Sequence, residues 1–128
     1  MISRDKLPQL TSAELDVMKV LWQAGKLSAR EAHERLAGRQ GWAYSTTRTM
    51  LERMAAKGLL RKRAFHGLHL YAPRVSRVEA LARRVRDFAR EVLETRHVPV
   101  VSLFAESEAL TADELRELEA LLADEEEP

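Results

Sequence analysis

The chain has 128 residues, 45% of them hydrophobic and 32% charged, with 5 Gly, 4 Pro and no cysteine. That is a globular composition, and the missing cysteine excludes disulfide frameworks, Cys-based zinc sites and thiol catalysis. The net charge of +1 hides an asymmetry: residues 1–73 carry 13 Lys and Arg against 6 Asp and Glu, a formal +7, whereas residues 74–128 carry 8 against 14, a formal −6. A basic first part and an acidic second part point to two different tasks.

The opening MISRDKLPQL has no apolar h-region, so no secretory signal is expected. No run reaches the ~18 apolar residues of a membrane span. A cytoplasmic protein without membrane insertion is the expectation. Thr11 and Glu14 form a T-x-x-E capping box that starts a first helix, with Leu10 placed to staple onto Leu15. Leu15, Met18, Leu21 and Trp22 make its apolar stripe, and Gly25 ends it. Ser28 and Glu31 repeat the box for a second helix, whose Ala29, Ala32 and Leu36 face inward; Gly38 and Gly41 break it.

Residues 42–58, WAYSTTRTMLERMAAKG, form the third helix. Tyr44, Thr47, Met50, Leu51 and Met54 recur on one side, and Thr46, Thr49 and Arg53 on another, with Ser45, Arg48 and Glu52 beside them. Lys57 suits the C-terminal dipole and Gly58 the left-handed cap. Two short strand-like runs follow, Leu59–Phe65 and Leu68–Tyr71, around His66-Gly67, and read as a hairpin. Alternation puts Arg61 and Arg63 on one of its faces and Lys62 on the other. Three helices followed by a basic hairpin is the order of a winged helix-turn-helix.

Ser76 and Glu79 open a fourth helix. Its Val78, Leu81, Val85, Phe88 and Val92 are spaced 3, 4, 3, 4, a heptad seam broadened by Ala82, Ala89 and Leu93. Such a stripe needs a partner, either the body of the protein or a second subunit. Residues 98–105, VPVVSLFA, form a docked turn of helix or an extended connector. Thr111 and Glu114 cap a last helix with Leu115, Leu118, Leu121 and Leu122 inward, and the DEEEP tail is expected to fray. The expected fold is mainly α: a winged helix-turn-helix over 1–74, then a helical dimerisation region over 75–128 with an acidic tail.

The exposed side of the third helix carries hydroxyls and arginines rather than a Glu/Lys mixture, which suits DNA. Arg bonds guanine bidentately, and Thr donates, accepts or touches a thymine methyl. The expected reading set is Ser45, Thr46, Arg48, Thr49 and Arg53, with Arg48 on bases and Arg53 on phosphate. Arg61, Lys62 and Arg63 are expected to track the backbone. Ser28, a cap first, also offers its helix N-terminus to a phosphate. His33, His66, His69 and His97 make no convincing metal set, and no nucleophile–base pair or phosphate loop appears, so neither cofactor nor enzymatic activity is expected.

These elements resemble the penicillinase-repressor family, the BlaI/MecI/CopY group of winged-helix repressors. The similar stretches are LTSAELDVMKVLW (10–22), Ala43-Tyr44-Ser45-Thr46 with Thr49, Leu51, Arg53, Lys57 and Gly58, the Tyr71 and Pro73 that end the wing, and LFAESEALTADELRELEALL (103–122). The resemblance implies a homodimeric transcriptional repressor on double-stranded operator DNA, paired through its C-terminal helices. Two departures stand out. The wing tip, usually Gly-Arg, is His66-Gly67 here. The Asn-Phe bond that is cut in β-lactam-responsive members corresponds to Leu103-Phe104, so the Asn is replaced; release by cleavage there, with a membrane-bound metalloprotease sensor as partner, is an implication of the resemblance alone. The C-terminal cysteines of copper-responsive members are missing. The rival readings are a winged-helix protein-interaction module, opposed by the +7 first part, and a DNA-binding activator, which sequence does not separate from a repressor.

Overall fold

A computed structural model describes residues 7–123; the DEEEP tail expected to fray lies outside the described residues. The chain forms two compact units, Leu10–Ser76 and a second built from residues 77–123 together with 7–9. The division thus falls two residues beyond the expected one, and 7–9 leave the first part for the second. The reason is Leu7, which is buried in a core with Val78, Ala82, Val100, Leu118 and Leu122. Arg83 Nη1 also donates to the Leu7 carbonyl at 2.6 Å.

In the first unit, α1 (Ser12–Ala24) starts from the expected box: Thr11 Oγ1 accepts from the Glu14 amide and the Glu14 carboxylate accepts from the Thr11 amide. Its buried stripe is wider than expected. Val17 and Val20 join Met18 and Leu21, while Leu15 and Trp22 are half-buried. Trp22 Nε1 reaches the Val75 carbonyl at 2.8 Å, so the indole packs along the surface with its polar atom satisfied. Helix α2 (Ala29–Leu36) has the same reciprocal box from Ser28 and Glu31. It buries Ala32 and Leu36 and ends before the two glycines. Helix α3 (Tyr44–Ala56) buries Thr47, Leu51 and Met54, and Gly58 at φ 84 supplies the left-handed residue after it.

The sheet has one strand more than expected. Leu27–Ser28 (β1) pairs antiparallel with Leu68–Pro73 (β3), whose other edge pairs with Leu60–Phe65 (β2). Two residues are too few for a period to show, so β1 exists only because β3 offers it a free edge. His66 (φ 47) and Gly67 (φ 80) make the two-residue turn; positive φ at both positions is what a type I′ hairpin turn requires.

In the second unit, α4 (Arg77–Glu91), α5 (Val100–Phe104) and α6 (Ala112–Ala123) surround their own core. Thr111 and Glu114 exchange the expected capping bonds at α6, and Arg77 Nη2 bridges to Glu114 at 2.8 Å. The expected dimerisation set divides. Val78, Leu118 and Leu122 are buried in the protomer's core, and Leu81, Val85 and Leu121 pack partly buried against it. Leu115 is half-buried. Phe88 (54% exposed) and Val92 (62%) face solvent, and α4 has ended before Val92. A heptad seam on one helix cannot say which of its turns a neighbouring helix covers. Of the two forms expected for 98–105, the structure takes the helical one over Val100–Phe104, with Val100 buried.

Among the described residues no helix is long and apolar enough to cross a membrane.

Candidate nucleic-acid interface

Helix α3 is clamped on three sides. At its C-terminus Lys57 Nζ donates to Glu14 Oε2 at 2.8 Å. Glu14 is only 3% exposed although it carries a charge. Burial pushes its carboxyl up, but the bonds from Lys57 and from the Thr11 amide outweigh this and hold it below the usual carboxylate range. A depressed carboxyl stabilises the fold above its unfolded pKa of about 4.3, and the contribution is lost as pH falls through the folded value. Urea midpoints at pH 7 and pH 3 should therefore differ more for the native chain than for Glu14→Gln, which keeps the box's hydrogen bonds but not the charge. Equal differences would remove Glu14 from the acid response.

In its first turn, Thr47 is fully buried and its Oγ1 is hydrogen-bonded to His33 Nδ1 of α2 at 2.8 Å. This satisfies a hydroxyl that would otherwise be costly to bury. Tyr44 lies edge-on to His33, with ring centroids 5.6 Å apart, and the Arg30 guanidinium sits 4.1 Å above its ring. Between the two helices, Gln40 Nε2 holds Asp16 of α1 at 2.8 Å.

The third clamp is the wing. Lys62 Nζ and the Tyr71 hydroxyl both donate to Glu52 Oε1, at 2.8 and 2.7 Å. Lys62 and Tyr71 are directly opposite in the β2–β3 register, which aims both at α3. The two donors, Lys62 first, hold the Glu52 carboxyl low, while burial and then Glu52 itself push the Tyr71 phenol up. An acidic group that would repel phosphate is thereby neutralised from within the protein.

These clamps leave Ser45, Thr46, Arg48, Thr49 and Arg53 exposed on α3, and Arg61 and Arg63 exposed on β2. Two members of the expected set stand apart. Ser28 is 7% exposed, its hydroxyl accepts from the Glu31 amide and its own amide donates to Glu31 Oε1, so its first role is the cap of α2. Lys62 is committed to Glu52 and acts on the inner face of the wing. Arg30 was not expected in this region. The signal for it is a contact made across the helix-turn-helix, which no spacing within α2 reveals. Among the described residues no three His, Cys, Asp or Glu side chains are grouped as metal ligands would be.

The sequence model of the penicillinase repressor family matches residues 10–124. The chain belongs to the penicillinase repressor family. Similar relatives include the penicillinase repressor of Bacillus licheniformis, 28% identical over 117 residues that make up 91% of each chain. The methicillin resistance regulatory protein MecI of Staphylococcus aureus (strain N315) is 26% identical, covering 92% of this chain and 96% of that one. Among solved structures, the DNA-binding domain of the repressor BlaI is 32% identical with a TM-score of 0.51, covering 58% of this chain and 90% of that chain. A monomeric form of B. licheniformis BlaI in complex with the blaP half-operator matches to the same extent. The family's winged-helix architecture is the one seen here in Leu10–Ser76, a mainly helical unit with a small antiparallel sheet.

The bond between Leu103 and Phe104, the candidate cleavage site, lies in the last turn of α5, and Phe104 packs on the second unit's core. Leu103 is 62% exposed, but its amide donates to the Pro99 carbonyl. Local unwinding of α5 would have to come before any cut there.

Proposed function

We propose that this protein is a sequence-specific DNA-binding transcriptional repressor of the penicillinase repressor family. It is a cytoplasmic binding protein rather than an enzyme, and it acts as a homodimer on a near-palindromic operator. The observation that carries this reading is the exposed α3 face: two arginines and three hydroxyl residues stand clear on a helix whose one acid, Glu52, is neutralised by Lys62 and Tyr71. The similarity to BlaI, solved on a half-operator, supports it.

On this reading α3 enters the major groove, and half-site centres lie about 10 base pairs apart. Arg48, in the first turns of α3, reads bases, and Arg53 holds phosphate. Binding selection from a randomised duplex pool, followed by titration at several salt concentrations, tests the assignment. Arg48→Ala should relax the selected sequence, at a cost of about 1–3 kcal/mol on the best site. Arg53→Ala should weaken all duplexes evenly and flatten the salt dependence by about 0.9 log units per log salt. If neither variant altered binding, α3 would not be the reader. Release by a membrane metalloprotease cutting at Leu103-Phe104 belongs to the same proposal, with unwinding of α5 as its first step.

A further inference from the structure

The wing carries a feature that phosphate tracking does not use. Strand register sorts its residues into two faces: Leu60, Lys62 and Tyr71 point one way, and Arg61, Arg63 and Phe65 the other, with Leu70 and Leu68 directly across from Arg63 and Phe65. The first face is the inner one, tied to Glu52 of α3. The second runs outward as two arginines leading to an apolar tip. Phe65 is 50% exposed and Leu68 57%, and among the described residues of the first unit these are the exposed large hydrophobics. They are cross-strand partners on the last rung before the turn, and Phe65 is braced edge-on by the His66 ring at 4.3 Å. The I′ turn keeps this tip narrow.

A narrow apolar end flanked by arginines has the chemistry of a minor-groove wedge. Apolar side chains inserted at a base step unstack it and bend the duplex, while nearby cations hold the phosphates. The hairpin is also held through Lys62 and Tyr71 against Glu52 of the helix that bears Arg48 and Arg53, so wing and helix are positioned together. We propose that Phe65 and Leu68 wedge into the minor groove beside each half-site, with Arg61 and Arg63 on the adjoining phosphates. The specificity this adds is for deformability: pyrimidine–purine steps, which unstack most easily, are favoured where the tip enters. The inference rests on the DNA-binding reading above and adds a second, indirect mode of readout to it.

The test uses the intact chain and a duplex taken from its own selected pool. The steps flanking the half-site are rewritten as TA or as GG, and 2-aminopurine is placed at the flanking step. The native protein should prefer the TA flank by on the order of tenfold and raise the 2-aminopurine fluorescence. Phe65→Ala/Leu68→Ala should lose both effects while keeping its affinity for the GG-flanked duplex; Phe65→Leu, which stays apolar, should retain them. Thermal melting checks that the variants remain folded. A double variant that still prefers TA and still brightens the probe overturns the wedge and leaves the α3 reading intact. A native chain that binds no member of the pool overturns both.

Discussion

A Phe88→Asp/Val92→Asp variant should sediment as a monomer at micromolar concentration and lose about 10²–10⁴-fold in affinity for a duplex with two half-sites. Affinity for a single half-site should be unchanged. The second unit uses Val78, Leu118 and Leu122 internally and leaves Phe88, Val92, Leu93, Val101 and Leu103 between 46% and 62% exposed. Five exposed large apolar side chains in one small unit make it the candidate surface for a subunit contact. An aspartate there would carry an unpaired charge into a subunit contact, yet costs the protomer little because both positions are solvent-facing. A native chain that is itself a monomer, with no affinity gain from the second half-site, would remove the dimer from the proposal.

Leu51→Ala should destabilise the first unit by about 2–5 kcal/mol. Leu51 is fully buried at the centre of α3, beside Met54 and Thr47. Its loss leaves a cavity at the centre of the reader, in a unit whose total stability is expected to be about 5–15 kcal/mol. Urea denaturation measures the cost. Thr49→Ala, two residues earlier on the exposed face, is the control and should stay within about 0.5 kcal/mol while affecting DNA binding. A Leu51→Ala cost no larger than that of Thr49→Ala would mean that the packing of α3 is not what holds the unit.

Much of this arrangement was legible in the chain because it is local. Capping boxes at Thr11, Ser28 and Thr111 depend on residues three apart, and all three form. The two sides of α3 follow from helical spacing, and the structure buries Thr47, Leu51 and Met54 while exposing the hydroxyls and arginines. His66-Gly67 marks a two-residue turn by composition alone.

What was not legible depends on contacts between distant segments. Leu7 falls within the first part as the sequence divides it, 1–74, but is buried in the second unit's core. Ser28 reads as a cap from its spacing to Glu31, but its burial shows only in the fold. Alternation already sets Lys62 apart from Arg61 and Arg63, but that its face meets Glu52 of α3 shows only in the fold. Arg30 had no signal at all until α2 and α3 brought it over the Tyr44 ring. The division of the Val78–Val92 seam between core and surface belongs to the same class.

The sequence by itself determined the order of helices, the wing and the polarity of each helix face, because periodicity, caps and turn residues act over a few positions. Tertiary structure alone decided which charged and apolar groups remain available. Availability is what is left after pairing and burial, and the partners Glu52 and Leu118 lie 10 and 111 residues from Lys62 and Leu7.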